Sequence, residues 1–252
     1  LNSDGTYIAI GAYGNDGNGS GSGHVRVFKY NAGSWSQLGS DIDGESAFDS
    51  SGAFVSLSSD GTIVAIGAPT NSGSATNSGH VRVYSYNGTS WSQLGSDIDG
   101  KSENSFSGIS VSLSSNGRIL AIGAPVNSDS GSMSGYVRVY NWNGTAWSQL
   151  GSDFVGEAEG DMLGQSVSLS SDGKKIAIGS HKNDGGGTDS GHVRVYSYNG
   201  SSWLQLGSDI NGEEDNDNSA ANISISSDGN VIAIGAGGSD DNGTSSGHVR
   251  IY

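Results

Sequence analysis

The sequence predicts an all-β fold built from a repeated unit of four antiparallel strands. A segment of the form Gly-His-Val-Arg-Val returns every 56 residues, with Tyr replacing His in the third copy and Ile replacing the last Val in the fifth. Asp-Gly or Asn-Gly dipeptides, which favour tight turns, join short apolar runs at the same place in each copy. No stretch has the 3.6-residue apolar period of a helix. The five segments begin at Gly23, Gly79, Gly135, Gly191 and Gly247.

The first half of the repeat is predicted to be a hairpin. In the second copy, residues 54–58 alternate apolar and small polar side chains, Asp60-Gly61 marks a turn, and residues 63–66 form an apolar run. The equivalent turns tolerate positive φ at little cost. They are Asp4-Gly5, Asn116-Gly117, Asp172-Gly173 and Asp228-Gly229.

The second half of the repeat is predicted to contain two more strands. Residues 80–86 alternate apolar and polar side chains, and Asn87-Gly88 turns the chain into a fourth strand at residues 91–95. Residues 97–108 are polar, and we interpret them as a loop that leads into the next unit. Each complete unit therefore supplies four strands.

A series of similar four-stranded units predicts the blades of a β-propeller, because radial packing covers both apolar faces of each blade. A parallel β-helix is the main alternative, but its turns would not need recurring hairpin dipeptides. About 4.5 repeats with 18 strands are present, so the ring has five blades completed by other residues, or it is larger, with seven blades a reasonable expectation. We predict one propeller domain, or a segment of one, over residues 1–252, with units 1–52, 53–108, 109–164, 165–220 and 221–252. Leu1 aligns with the middle of a hairpin, which indicates a piece of a longer polypeptide.

Composition restricts the class of partner. Only 33% of the 252 residues are hydrophobic and 43 are glycine, yet the apolar positions keep their phase in every copy, unlike those of a disordered linker. The net charge is −15, and five of the eleven Lys and Arg residues are the recurring arginine of the repeat. No basic patch remains for nucleic acid or an anionic membrane. No run of 18 apolar residues occurs, so we predict no insertion into a membrane. Cysteine is absent.

A strand ending in Ser-Val-Ser-Leu, an Asp-Gly or Asn-Gly turn and a strand ending in Gly-Ala-Pro resemble the FG-GAP repeat, most clearly at residues 108–113 and 121–125. That family builds the N-terminal propeller of integrin α subunits and occurs in secreted or surface-attached microbial and algal proteins. The resemblance implies a propeller and an extracellular setting. The Phe of the family's Phe-Gly pair is replaced, and where calcium-binding integrin blades carry a long acidic loop this chain has a two-residue turn, so that calcium site does not carry over. The replacing residues are Ser51, Ser107, Leu163 and Ser219.

Loop carboxylates are candidate calcium ligands of low affinity, and calcium is the one cofactor that the sequence suggests. Solvated turns on an acidic surface are the alternative interpretation. The candidates are Asp16, Asp184, Asp240, Asp241, Asp215 and Asp217.

Residues that recur once per unit are expected to belong to the scaffold. Equivalent points on adjacent blades lie roughly 10 Å or more apart, too far for one ion to join the recurring histidines. We expect the recurring Arg to pair with the recurring Asp, and the recurring Trp to pack between sheets. The histidines are His24, His80, His192 and His248, with Tyr136 in the remaining copy; the Asp set is Asp41, Asp97, Asp153 and Asp209; the Trp set is Trp35, Trp91, Trp147 and Trp203.

Two further sets of residues concern glycans. Trp142, the one tryptophan outside the 56-residue period, is a candidate sugar-binding residue. Asn-x-Ser/Thr sequons predict glycosylation in a eukaryotic secretory protein, or arise by composition alone. They lie at Asn18, Asn87, Asn143, Asn199, Asn222 and Asn242.

These observations favour a non-enzymatic repeat protein of the cell surface or extracellular space that serves adhesion, recognition or the building of an external structure. Its partner would be an extracellular protein or glycan, or a second copy of itself. A lectin-like glycan-binding propeller is the alternative. A hydrolase with a channel site is a weaker one, because the sequence contains no nucleophile elbow, phosphate loop or isolated carboxylate pair.

Overall fold

The computed structural model describes residues 1–252, which form 22 β-strands and no helix. The strands group into five antiparallel sheets. The first contains β1 (Tyr7–Ala12), β2 (His24–Asn31), β3 (Ser34–Gln37) and β4 (Ile42–Asp43). The second contains β5 (Phe54–Leu57), β6 (Ile63–Ala68), β7 (His80–Tyr86), β8 (Trp91–Gln93) and β9 (Ile98–Asp99). The third contains β10 (Ser110–Leu113), β11 (Ile119–Ala124), β12 (Tyr136–Trp142), β13 (Trp147–Gln149) and β14 (Phe154–Val155). The fourth contains β15 (Leu163–Leu169), β16 (Lys175–Ser180), β17 (His192–Tyr198), β18 (Trp203–Gln205) and β19 (Ile210–Asn211). The fifth contains β20 (Ser219–Ile225), β21 (Ile232–Ala236) and β22 (His248–Ile251).

Each complete sheet is a meander with a divided outer edge. In the second sheet β5, β6, β7 and β8 pair in sequence order, and β9 returns to pair with β7 beside β8. The end of β7 pairs with β8 through Tyr86 and Trp91, while its start pairs with β9 through Val81 and Ile98. Two short strands therefore complete the edge that one long strand would otherwise cover.

The predicted all-β class and hairpins are confirmed, and so are the 18 predicted strands. The four additional strands, each of two residues, lie in segments whose polar composition predicts loops. Gly95, with a φ of 74°, turns the chain away from the edge after β8, and Ile98 then brings it back. A two-residue strand is too short for an alternating pattern to reveal it.

The chain divides into two compact units, one of Leu1–Leu120 with Tyr140–Ser148 and the other of Ala121–Val139 with Gln149–Tyr252. In the first unit, an apolar cluster joins the first and second sheets. It contains Val25, Val27, Ile42, Val64 and Ile66. In the second unit, a like cluster joins the fourth and fifth sheets, and contains Ala177, Val193, Val195, Ala220, Ile225, Ile232 and Ile234. Within each unit, two consecutive sheets thus bury apolar faces against each other, as blades do.

Glycines of two separate motif positions meet where consecutive sheets pack. Gly67, of the Gly-Ala-Pro segment on β6, lies against Gly108 at the start of the next repeat, so that a Cβ on Gly67 would overlap the carbonyl oxygen of Gly108. Gly108 itself has a φ of 95°, a conformation that other residues rarely adopt. The same approach joins Gly11 to Gly52. Both glycines are therefore needed for the close packing of sheets.

The chain contains no helix that is both long and apolar enough to span a bilayer.

Candidate functional site

Equivalent clefts open between consecutive repeats, one after each of the first three repeats. One wall is the segment of one repeat that contains its short last strand. The opposite wall is formed by the aromatic residues of the following repeat, a Tyr on its third strand and a Trp on its fourth strand. The first cleft, of about 280 Å³, contains Asp41, Asp43, Tyr84, Ser90 and Trp91. The second, of about 400 Å³, contains Asp97, Asp99, Tyr140, Thr145 and Trp147. The third, of about 230 Å³, contains Asp153, Phe154, Tyr196, Ser202 and Trp203.

The tryptophan of each cleft is held by the preceding repeat. The indole Nε1 of Trp91 donates a hydrogen bond of 2.8 Å to the carbonyl oxygen of Leu38. Trp147 and Trp203 donate in the same way, at 2.9 Å, to the carbonyls of Leu94 and Leu150. The prediction that the recurring Trp packs between sheets is confirmed for these three.

A second aromatic ring lies beside each recurring tryptophan. Tyr86 and Trp91 face each other across β7 and β8, with ring centroids 5.1 Å apart. Trp142 occupies the same repeat position as Tyr86, and its ring centroid lies 5.4 Å from that of Trp147. Trp142 is therefore part of the periodic pattern, half-buried on the edge of its sheet beside the second cleft.

The carboxylates of the clefts are held in place by hydrogen bonds from a recurring glutamine. Gln93 donates from Nε2 to Oδ1 of Asp97 at 2.6 Å, and Gln149 does the same to Asp153. A second carboxylate follows two residues later in the first two clefts, as Asp43 and Asp99. In the third cleft Val155 stands at that position, so this cleft has one carboxylate fewer.

The expected pairing of the recurring Arg and Asp is confirmed in three repeats. Arg26 donates to Asp41 through Nε at 3.0 Å and Nη2 at 2.8 Å. Arg194 likewise bonds Asp209, and Arg138 lies 3.3 Å from Asp153. The hydrogen bond from Arg194 is the main cause that lowers the pKa of the Asp209 carboxyl.

The second repeat departs from this pairing. Arg82 turns toward the preceding repeat, where its Nη2 donates to the carbonyl oxygen of Asp43 at 2.7 Å and its Nη1 lies 3.6 Å from Oε1 of Glu45. Burial raises the pKa of the Glu45 carboxyl, the Arg82 charge lowers it, and the neighbouring Asp97 charge raises it further. Asp97 accepts its hydrogen bond from Gln93 and also interacts with the side chain of Glu45.

Each buried histidine lies beside the Asp of its own repeat, and two also face a Glu of the repeat before. His80 Nδ1 lies 3.7 Å from Asp97 and 3.9 Å from Glu45, and His192 Nδ1 lies 3.8 Å from Asp209. Glu157 completes the second group, whose possible ligand atoms lie within 4.8 Å of one another. Burial, followed by the Arg82 charge, lowers the pKa of His80 to about 4.

The glutamates of these groups were missed from the sequence, although they carry a signal. Glu45, Glu157 and Glu213 are spaced at multiples of 56 residues, and Lys101 stands at the same repeat position. The partners of His80 and His192 come from the loop of the preceding repeat and not from the equivalent histidines of other repeats.

The six loop carboxylates proposed for calcium are used in turns and do not form one of the three ligand groups. Asp16, Asp184, Asp240 and Asp215 each accept a backbone N–H through Oδ1, from Gly21, Asp189, Ser245 and Thr188 respectively. Asp217 is buried and accepts the N–H groups of Glu213 and Glu214. Asp241 lies 3.1 Å from the His248 ring. Calcium binding at these positions stays a prediction.

All six sequons lie at exposed asparagines. In Asn87, Asn143 and Asn199, Oδ1 accepts two backbone N–H groups of the following turn. The amide nitrogens of Asn87 and Asn143 also donate long hydrogen bonds to the hydroxyls of Ser90 and Ser148. Asn18 donates its amide hydrogens to the carbonyls of Gly44 and Glu45. Their glycosylation stays a prediction.

Residues 156–196 match the model of the FG-GAP repeat. Over these residues the chain is similar to the FG-GAP repeat. The matched residues run from the loop before β15 to the third strand of the same sheet, and they confirm the resemblance seen in the sequence. The hairpins of the matched segment recur along the chain at the 56-residue spacing. No curated protein sequence matches the chain significantly.

Solved structures similar to this chain support the same fold. Hydrazine synthase of Kuenenia stuttgartiensis has a TM-score of 0.60 at 12% identity, and the match covers 100% of this chain and 69% of that one. The β-propeller domain of the Trilobed protease from Pyrococcus furiosus has a TM-score of 0.53 at 12% identity, covering 98% and 66%. Tricorn protease has a TM-score of 0.50 at 11% identity, covering 92% of this chain and 22% of that protein. At these identities the likeness shows a β-propeller fold alone.

Proposed function

We propose that this chain is a non-enzymatic repeat protein of the cell surface or extracellular space, and that it serves adhesion or recognition through its inter-repeat clefts. The recurrence of one cleft after three consecutive repeats is the observation that carries the proposal. Repeated weak sites that engage one partner together gain affinity without any new contact. FG-GAP repeats are often found in extracellular or surface proteins, which supports the location.

The chemistry of the clefts favours a neutral, hydroxyl-rich ligand such as a glycan. Carboxylates at positions such as Asp97 and Asp99 accept hydrogen bonds from hydroxyl groups. The rings of Tyr140 and Trp147 offer apolar area at low conformational cost, against which the C–H face of a sugar packs. The net charge of −15 disfavours anionic ligands. A lectin-like activity is therefore the form of recognition that we propose.

A glycan array probed with the 252-residue chain tests this activity. We expect binding to a limited set of neutral glycans, and at least about a tenfold loss of avidity when both Asp43→Asn and Asp99→Asn are introduced. Asn211 stands at the same repeat position, so asparagine is compatible with the fold. Asp16→Asn, a loop change outside the clefts, is the matched control. Silence on the array with and without calcium would remove the glycan proposal.

The proposed location is tested separately. Fractionation of the source cells should place the mature protein at the surface or in the medium. Recovery from the cytosol would contradict the extracellular role. Turnover across a hydrolase substrate panel would favour the enzymatic alternative instead.

A further inference from the structure

The three side chains Glu45, His80 and Asp97 meet at the junction of the first and second repeats. Glu45 follows β4, His80 begins β7, and Asp97 immediately precedes β9. The side chain of His80 is 2% exposed, whereas those of Glu45 and Asp97 are 44% and 30% exposed. The group therefore has a buried imidazole at its base and two carboxylates toward solvent.

His80 is buried without the hydrogen bonds that such a group normally makes. Its Nε2 has no partner. Its Nδ1 points between the two carboxylates, 3.7 Å from Oδ2 of Asp97 and 3.9 Å from Oε2 of Glu45, which is beyond hydrogen-bonding distance. Buried polar groups in native proteins are nearly always paired, and the Nδ1 atom that faces the two carboxylates makes no hydrogen bond to either of them, so a cation between the three groups would supply its partner.

We propose that Glu45, His80 and Asp97 bind one first-row divalent metal ion of the zinc class. Two ligand atoms that each lie about 2.1 Å from one ion, at a ligand–ion–ligand angle of about 110–135°, are about 3.4–3.9 Å apart. The distances of 3.7 and 3.9 Å from His80 Nδ1 to the two carboxylates agree with this geometry. One imidazole and two carboxylates form a mixed nitrogen and oxygen set, which favours zinc over calcium or magnesium. Three protein ligands leave a fourth position open toward solvent.

Neighbouring side chains orient these ligands without occupying the space between them. Gln93 bonds Oδ1 of Asp97 at 2.6 Å, which leaves Oδ2 directed at His80. Hydrogen bonds of this kind orient the ligands of known metal sites. Arg82 bonds the carbonyl of Asp43 and stays 3.6 Å from Glu45.

The corresponding groups elsewhere in the chain differ. In the fourth repeat, Arg194 bonds Asp209 directly and also contacts Glu157, so the guanidinium already occupies the carboxylates. At the junction of the second and third repeats, Tyr136 takes the place of the histidine and Lys101 takes the place of the glutamate. Imidazole and glutamate are thus lost together, as expected if they serve the same ion.

Calorimetric titration of the 252-residue chain with ZnCl₂ tests the site. We expect one ion per chain, with an affinity reduced at least about tenfold by His80→Tyr. Tyrosine fits the position, because Tyr136 occupies its equivalent and is 2% exposed. Glu45→Gln, a change at an exposed position, should weaken binding in the same direction and guards against a folding defect in the first variant. His192→Tyr is the matched control and should leave zinc affinity unchanged.

Anomalous scattering from a ZnCl₂-soaked crystal gives the location. We expect a peak about 2.0–2.1 Å from Nδ1 of His80. Absence of binding heat, a peak elsewhere, or an equal loss of affinity in the His192 variant would overturn the proposal. Because glycans are absent from both experiments, failure here leaves the recognition proposal untouched.

Discussion

At the scale of single residues, the turn aspartates show how one side chain fixes a hairpin. Asp60 accepts hydrogen bonds through Oδ1 from the Ser58 hydroxyl at 2.6 Å and from the Thr62 amide at 3.0 Å. Burial alone would raise the pKa of Asp60, but these hydrogen bonds lower it below its ordinary value. Asn116 accepts the equivalent bonds in the third repeat.

The lowered pKa predicts a loss of stability in acid. A carboxyl whose pKa is lower in the folded state contributes stability above its unfolded pKa, and that stability is lost as the pH falls through the folded pKa. We expect Asp60→Asn to unfold at a lower temperature than the parent at pH 7, and to lose less of its stability between pH 4 and pH 2. Thermal melting followed by circular dichroism measures both. If both proteins lost the same amount of stability between pH 4 and pH 2, Asp60 would not contribute to the loss of stability in acid.

Single residues also explain what the sequence could and could not reveal of the site. The recurring Arg, Asp and Trp were found because each contacts a partner within its own or the preceding repeat at a fixed spacing. Glu45 was missed because its 56-residue spacing is interrupted by Lys101 and because its partner His80 lies in the following repeat. The bend of Arg82 toward Asp43 was equally hidden, because Arg26, Arg138 and Arg194 have the same sequence context and pair with the Asp of their own repeat.

At the scale of elements, the hairpins and third strands follow from alternation and turn dipeptides, whereas the divided outer edge does not. Its short fifth strand is fixed by pairing of Val81 with Ile98, a contact between distant residues. The consequence is functional, because this short strand provides one wall of each cleft. The tryptophan on the fourth strand provides part of the other wall, and it also links one sheet to the loop of the sheet before.

This link predicts different effects of the same substitution in two repeats. Trp91→Phe removes the hydrogen bond to the carbonyl of Leu38, and we expect a loss of about 1 kcal/mol in the free energy of unfolding. Trp35, whose ring also packs on a tyrosine, is 45% exposed, and Trp35→Phe should change stability by less than about 0.5 kcal/mol. Denaturant unfolding of both variants makes the comparison. Equal losses would argue against the inter-repeat hydrogen bond as the cause.

At the scale of the whole molecule, charge rather than topology governs behaviour in solution. The chain carries 26 acidic residues against 11 Lys and Arg residues, and the calculated isoelectric point is about 4.4. Mutual repulsion keeps such a protein dispersed at neutral pH. The fold class could be read from the sequence, because it depends on spacing that every copy shares.

We therefore predict a minimum of solubility near pH 4.4 and full solubility at pH 7. Turbidity measured across a pH series at constant ionic strength reports this directly. A basic protein that stays soluble over the same pH range serves as the control for effects of the buffers. A minimum at neutral pH would mean that association through exposed apolar residues dominates over charge.

The paired rings on the outer strands have an optical consequence. Four Tyr–Trp or Trp–Trp pairs are held at centroid separations of 5.1–5.4 Å, tilted with respect to each other. Electronic transitions of two chromophores so close and so oriented couple, and the coupling produces circular dichroism bands that isolated rings lack. Each pair joins a third strand to a fourth, so the chain contains its own spectroscopic reporter of whether the edge of each sheet has formed.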